Sequence, residues 1–230
     1  MRKKHGDRKT RRHQLSLRGL KASAARFVRG MSGQGISELY GTTDGKAVGT
    51  YVEHAFQDYL RESGVDYVRG SSASGVDFPE LEVDLKVTSL RQPQSSCPFS
   101  EASQKVYGLG HHLLVFVYDK RDDAASSEAL LDFRYAIFVE RRRTADYQTT
   151  AGLLRILEQG GNKDDVVAFL EERNLPLDEI GRERLAERIL KEPPVLGYLT
   201  VSNALQWRLQ FGRIVSVVGQ GGVDGVESLL

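Results

Sequence analysis

The sequence predicts an α/β (or α+β) fold in which a mixed central β-sheet is flanked by helices. Two observations support this. A long amphipathic helix comes before a cluster of strands, and a short helix then leads to two strands that are apolar on both faces. Strands that are buried on both faces need a layer of helices on each side of their sheet. With 230 residues, the chain is long enough for one such core.

The strongest predicted helix covers residues 46–62 and ends before Gly64. Its apolar side chains recur at the i, i+3, i+4 and i+7 spacing of a single helix face. They are Val48, Tyr51, Val52, Ala55, Phe56, Tyr59 and Leu60. The helix is therefore expected to pack one face against the sheet, with Glu53 flanking that face.

Two strands are predicted after this helix, at 76–78, where Pro79 ends the strand, and at 81–88. The second alternates, with Val83, Leu85 and Val87 on one face and Glu82, Asp84 and Lys86 on the other. A short helix is expected at 101–107, followed by two fully buried strands at 113–118 and 135–139.

Four segments are expected along the chain. Residues 1–29 form a basic N-terminal arm and residues 30–150 a core that includes the alternating strand. Residues 151–192 form a helical insertion or subdomain with three short helices, and Pro193-Pro194 closes it. Residues 193–230 return to the core.

Composition excludes several classes of protein. No apolar run approaches the roughly 20 residues that a bilayer requires, and no signal-peptide core follows the charged N-terminus. A single cysteine, Cys97, excludes an internal disulfide and fits a reducing cytoplasm. The sequence therefore indicates a cytoplasmic protein without a membrane partner.

Charge is divided unevenly along the chain. Residues 1–29 contain 11 of the 32 lysines and arginines but only one of the 31 acidic residues, Asp7. A basic arm attached to an acidic body favours a polyanionic partner, and nucleic acid is the obvious one. The first 14 or so residues are expected to be disordered when no partner is bound.

The candidate catalytic residues are Asp77, Asp84 and Lys86. An aspartate lies two residues before a lysine at three places, starting at Asp7, Asp44 and Asp84. Only the third lies on a predicted strand, where alternation puts its two charged groups on one face, and only it has another aspartate just before it. Paired carboxylates can hold Mg²⁺, and a neighbouring lysine can position water or stabilise charge during phosphodiester hydrolysis.

The spacing of Asp77 and Asp84-Leu85-Lys86 resembles the motif of the PD-(D/E)xK nuclease superfamily, in which an upstream helical glutamate, here Glu53, often assists. The resemblance covers roughly residues 46–140 and implies a restriction-endonuclease-like core. Asp77, Asp84 and Glu53 would be Mg²⁺ ligands. One departure is that Val76 stands where the motif has proline.

Within this superfamily, a chain of this size without a nucleotide-binding loop most resembles a type II restriction endonuclease. That resemblance implies a homodimer that cuts double-stranded DNA at a specific sequence and leaves 5′-phosphate ends. It also implies a cognate DNA methyltransferase that acts on the same sequence, without necessarily contacting this protein.

Two alternatives stay open at the level of sequence. One is a structure-selective repair or recombination nuclease of the same superfamily, and the other is a non-catalytic nucleic-acid-binding protein. Gln104 and Lys105 are suggestive of phosphate contact because they follow the site. His111-His112 are interpreted as strand-entry residues, and the arginines at 141–143 fit either a phosphate contact or a solvated surface.

Overall fold

A computed structural model describes residues 13–70, 75–96, 101–202 and 208–230. Cys97 and the basic residues before His13 lie outside these ranges. The helices within them are α1 (Leu17–Met31), α2 (Gly45–Glu62), α3 (Gln104–Tyr107), α4 (Tyr147–Glu158), α5 (Lys163–Glu172), α6 (Glu179–Lys191) and α7 (Gly212–Gly219). The strands are β1 (His13–Gln14), β2 (Gly35–Ile36), β3 (Val65–Asp66), β4 (Val83–Ser89), β5 (Gln94–Ser96), β6 (His112–Asp123), β7 (Glu128–Val139), β8 (Thr200–Val201), β9 (Arg208–Gln210) and β10 (Val226–Ser228).

The main sheet is mixed, which confirms the predicted fold class. β4 runs parallel to β6, and β6 forms a long antiparallel hairpin with β7. β2 and β10 both pair with the far side of β7, so β4 is an edge strand. A parallel pair needs a connection that crosses over the sheet, and the chain between β4 and β6 includes β5 and α3.

Helices α1 and α2 cover one face of the main sheet. Phe56 of α2 lies at the centre of this layer, with its ring centroid 5.0 Å from that of Phe27 and 5.4 Å from that of Phe116. All three rings belong to one buried apolar cluster, which also includes Val83 and Leu85 of β4. The apolar face of α2 therefore fixes this helix directly above the strand that carries the candidate catalytic residues.

A second apolar cluster covers the opposite face of the sheet. It joins alternate side chains of β6 and β7 to α7 and to a small antiparallel sheet with the strand order β5-β9-β8. Leu209 of β9 is fully buried in this cluster. The small sheet is thereby attached to the main one.

Helices α4, α5 and α6 pack around an apolar cluster of their own, which also includes Val106 of α3. Asp146 connects this helical block to the small sheet, because its carboxylate accepts from the backbone N–H of Thr149 (2.8 Å) and of Val201 (2.9 Å). The domain boundaries at residues 29, 150 and 192 stay predictions. α1, which lies mostly within the predicted arm, contributes Leu20 and Phe27 to the main core.

The structure differs from the predicted elements at the segment before β4. Residues 76–78 form no strand, and Phe78 makes only an isolated antiparallel bridge to Val83. Pro79 begins a single 3-10 turn, Pro79–Leu81, and Glu82 has a left-handed backbone (φ 52°). The proline removes a backbone donor at the point where a strand would have to continue. In the described part of the chain, no helix has the length and apolar character needed to cross a membrane.

Candidate active site

Asp84 and Lys86 project from the same face of β4, as the alternating pattern predicts. Val83 and Leu85 point to the other face, where they are buried beneath α2. The Asp84 side chain is only 6% exposed, and its Oδ2 lies 2.6 Å from Nζ of Lys86. A strand anchored on one face by buried valine and leucine thus presents an ion pair on its other face.

Asp77 lies next to this pair because the chain folds back on itself between Phe78 and Val83. The backbone N–H of Leu85 donates to Oδ2 of Asp77 at 2.7 Å. On the other side, the backbone N–H of Gly70 donates to the carbonyl of Asp77 at 2.9 Å. A Cβ on Gly70 would lie 1.8 Å from the Val76 carbonyl oxygen, so only glycine permits this approach.

The carboxyl groups of Asp77 and Asp84 are close enough to share a hydrogen bond. Burial raises the pKa of Asp84 to about 7; the Lys86 ammonium opposes this rise, and Asp77 adds to it. Desolvation and a second carboxylate both disfavour the ionised form. Burial, more than repulsion between the carboxylates, therefore disfavours the ionised form of Asp84.

Glu53 of α2 joins the same cluster. Burial and the nearby carboxylate of Asp77 raise the pKa of Glu53, while His54 and Lys86 lower it. The side-chain amide of Gln57, one helical turn later, donates to Oε1 of Glu53 at 3.3 Å. All four residues singled out in the sequence, Glu53, Asp77, Asp84 and Lys86, thus interact in one place.

Gln57 was not identified from the sequence. Its side chain is buried, with 4% of the residue exposed. Two features of the sequence could have pointed to it. Gln57 directly follows Phe56 on the helix that packs on the sheet, and it lies four residues after the candidate acid Glu53. A buried amide needs a hydrogen-bond partner, and here that partner is Glu53.

His111 is the other residue that the sequence interpretation missed. It directly precedes β6, and the parallel pairing of Asp84 with Leu113 brings its Nε2 to 3.8 Å from Oδ2 of Asp84. Burial lowers the pKa of His111, and the Lys86 ammonium lowers it further. His111 is therefore a half-buried imidazole beside the acid cluster rather than only a strand-entry residue.

The donor set fits a hard divalent cation, since Mg²⁺ binds one or two carboxylates and completes its shell with water and substrate phosphate. Asp77 and Asp84 provide two adjacent carboxylates whose mutual repulsion a cation would relieve. Within the described residues, no group of three histidine, cysteine, aspartate or glutamate side chains is already arranged to hold a metal ion. The Lys86 ammonium, 2.6 Å from Asp84, supplies the positive charge at this position.

The arginines at 141–143 form ion pairs with acidic residues outside the acid cluster. Arg141 pairs with Glu82 at 2.9 Å, and Arg142 and Arg143 both pair with Asp224. These contacts favour an intramolecular role for the arginine run.

Lys105 is buried, and burial lowers its pKa while the nearby Asp146 carboxylate raises it. Gln104 donates from its amide to the carbonyl of Leu109 at 3.4 Å. Lys105 therefore lies beside Asp146, at the start of α4 in the helical block.

A cleft of about 890 Å³ begins at Lys86 and passes the end of β4 towards the N-terminus of α2. Among the described residues, its lining includes a single acid, Asp122, but five cationic side chains, which are Lys46, Lys86, Arg91, Lys120 and Arg208. Such an excess of positive charge attracts a polyanion. Asp77 and Asp84 do not line the cleft, so Lys86 is where the cleft and the acid cluster meet.

Comparison with known proteins relates the chain to a family and to a curated protein. The model of the family described as type II restriction enzyme NspV matches residues 14–228. A curated protein from Nostoc sp., named type II restriction enzyme NspV, is 53% identical over 212 residues, which cover 92% of this chain and 95% of the relative. No solved structure matched significantly.

Proposed function

Because the chain belongs to the NspV family of type II restriction enzymes, we propose that it is a Mg²⁺-dependent endonuclease that cuts double-stranded DNA at a specific sequence. The observation that carries the proposal is the cluster of Asp77, Asp84 and Lys86 at the mouth of a cationic cleft. Family membership supports sequence-specific cutting, and the cluster supplies groups suited to phosphodiester hydrolysis.

Asp77, Asp84 and Glu53 are the residues that would hold the metal. When bound, Mg²⁺ supplies Lewis acidity and lowers the pKa of a coordinated water. This ligand set is the one that the PD-(D/E)xK resemblance implies. Gln57 orients Glu53 through its amide, and the Leu85 N–H fixes the rotamer of Asp77.

Lys86 is the one member of the cluster that also lines the cleft. Its ammonium can position the attacking water or stabilise negative charge as the phosphate becomes five-coordinate. Water attacks phosphorus, the bond from phosphorus to the 3′-oxygen breaks, and the proton lost by water leaves with that oxygen. The products are a 5′-phosphate and a 3′-hydroxyl.

We further propose that the active form is a homodimer. The described part of the chain carries one such site, whereas a duplex has two strands related by a two-fold axis. A dimer with two-fold symmetry places one site at each strand. Light scattering of the purified protein should therefore give about twice the 25.6 kDa chain mass.

A sequence-specific endonuclease also endangers the DNA of its own cell. The proposal therefore includes a cognate methyltransferase that modifies the same sequence, and a cytoplasmic location, where that DNA lies. Family membership favours this function over a structure-selective repair nuclease or a purely DNA-binding protein.

The test is digestion of phage-length duplex DNA with Mg²⁺, with EDTA and with Asp84→Asn. Discrete fragments that require both Mg²⁺ and Asp84 support the proposal, and end sequencing then locates the cut and the 5′-phosphate. Asp58→Asn is the matched control, since Asp58 is exposed and its ion pair within the described residues is with Arg61 one turn away. A digest beside the Nostoc enzyme shows whether the two enzymes cut the same sequence. Intact DNA with several divalent metals, or random degradation, contradicts the proposal.

A further inference from the structure

The small sheet forms one wall of the cleft, which is lined by Gln94, Ser95 and Ser96 of β5 and by Arg208 of β9. β5 pairs antiparallel with β9, so Ser95 lies opposite Leu209, Gln94 opposite Gln210 and Ser96 opposite Arg208. Directly opposed residues share a face. Because Leu209 is fully buried in the core, the face with Gln94 and Arg208 points away from it.

Gln94 and Arg208 both line the cleft that begins at Lys86. In the part of the chain that the structure describes, neither the Gln94 amide nor the Arg208 guanidinium has a hydrogen bond or ion pair. This contrasts with the arginines at 141–143, which are paired with acids. Two polar side chains on the cleft wall are thus available to a ligand.

The backbone of this wall is fixed before any ligand binds. The buried hydroxyl of Thr88, at the end of β4, accepts a hydrogen bond from the Gln94 N–H at 3.0 Å. The same hydroxyl donates to the Gln94 carbonyl at 3.1 Å. The N–H of Phe211 donates to the Pro93 carbonyl at 2.7 Å. These bonds hold β5 and β9 in a constant position relative to Lys86.

The polar side chains of the wall suit the base edges of a DNA groove. Gln94 and Arg208 lie on the neighbouring strands β5 and β9, about 5 Å apart, and the major groove is about 12 Å wide. A glutamine amide matches the N6 and N7 atoms of adenine, and an arginine matches O6 and N7 of guanine.

We infer that β5 and β9 read bases in the major groove, with Gln94 pairing with an adenine and Arg208 with a guanine. This rests on the proposed function for its ligand, duplex DNA, and it names the residues that determine sequence preference. With the scissile phosphate at Lys86, the base pairs beside it lie along this wall. Lys46 and Arg91, which are exposed on the cleft, contact phosphates without reading sequence.

The test uses binding rather than cleavage. Asp84→Ala protein, which leaves DNA intact, selects duplexes from a random pool, and the bound duplexes are sequenced. The selection is repeated with Gln94→Ala or Arg208→Ala added. Gln220→Ala is the matched control, because Gln220 is exposed and does not line the cleft.

The parent protein should select a sequence with at least one A·T and one G·C pair. Gln94→Ala should lose the preference at an A·T position and Arg208→Ala at a G·C position, each with about a 5- to 150-fold weaker affinity for the selected sequence. Gln94→Glu, a second variant of similar size, should also lose adenine, because a carboxylate cannot donate to N7.

The inference is overturned if the parent selects no sequence, if both variants select the parent sequence, or if they weaken binding to every duplex equally. Cleavage of the selected duplex by the unaltered protein with Mg²⁺ is measured separately. If the variants change the sequence preference but the unaltered protein does not cleave, the base-reading inference holds and the proposed endonuclease function is wrong. If the unaltered protein cleaves but the variants keep the parent preference, the function holds and the base-reading inference is wrong.

Discussion

Burial of Asp84 favours the binding of a cation, but it also lowers the stability of the folded protein when no metal is bound. A carboxylic acid whose pKa is raised by folding binds protons more tightly in the folded state than in the unfolded state. Its ionised form therefore destabilises the protein. For Asp84, the pKa rises from an ordinary 3.8 to about 7.

Asp84→Asn should consequently be more stable than the unaltered protein at pH 8 in EDTA, while having lost cleavage. The wild-type stability should fall as pH rises from about 4 to about 7, because the folded state must release a proton that the unfolded state has already lost. Asparagine has no such dependence. Urea unfolding should show a gain of roughly 1–3 kcal/mol at pH 8, which shrinks at pH 5. Equal stability at pH 8 would contradict this account of the acid cluster.

Gln57 is expected to matter for the rate of cleavage through Glu53. Gln57→Leu preserves size but removes the amide that donates to Glu53. Partners of this kind typically contribute about 10-fold or more to activity. We expect kcat to fall about 10-fold, with little change in DNA affinity measured without metal.

A double-mutant cycle with Glu53→Gln checks this role. If Gln57 acts only by positioning Glu53, the second substitution should add little to the effect of the first. Fully additive losses would mean that Gln57 contributes independently of Glu53, for example through packing.

Among the elements, the hydroxyl of Thr88 links the end of β4 to β5. Thr88 is 4% exposed and bonds the backbone of Gln94 in both directions. Thr88→Val keeps the shape but leaves the Gln94 N–H without this acceptor, at a cost of about 1–3 kcal/mol in the free energy of unfolding. Because β5 would lose its fixed position, discrimination between the cut sequence and single-base variants should decrease.

Thr88→Ser provides the matched control, since it restores the hydroxyl and lacks only a methyl group. It should recover most of the sequence discrimination that Thr88→Val loses. Competition digests of duplexes that differ by one base pair measure this directly. The same discrimination in Thr88→Val and in the unaltered protein would argue against a role for this anchor.

The elements also show why part of the site was predictable from sequence. Asp84 and Lys86 share a face because strand side chains alternate, and Glu53 lies on a helix whose apolar face is evident from its spacing. Both are local patterns. The helix and the strand come together because both bury their apolar faces, and Val83 and Leu85 of β4 share one apolar cluster with Phe56 of α2.

The parts that were missed depend on contacts between residues distant in sequence. His111 reaches Asp84 only because β6 runs parallel to β4 in one particular register. In the small sheet, β5 pairs with β9, which lies more than 100 residues later in the chain, and each of these strands has only three residues. Three residues carry too little alternation to indicate a strand, and nothing local specifies the partner.

At the scale of the whole molecule, the two sources of positive charge should act differently on DNA. The cleft presents cations on the folded body next to Lys86, whereas residues 1–12 contribute seven lysines and arginines and one acid within one short segment. Charges that contact phosphates strengthen binding to any sequence through counterion release. Sequence preference, by contrast, needs groups held against base edges.

Removal of residues 1–12 should therefore weaken binding to all duplexes and leave the cut sequence unchanged. The slope of log K against log salt should become less steep, by up to about 6 if all seven cations contact phosphates. Binding of Asp84→Ala protein, with and without residues 1–12, to the selected duplex and to an unrelated one between 50 and 200 mM salt measures both effects. A variant with these seven residues replaced by glutamine controls for length. Identical salt slopes would assign the phosphate contacts to the cleft alone, whereas a changed cut sequence would mean that residues 1–12 also read bases.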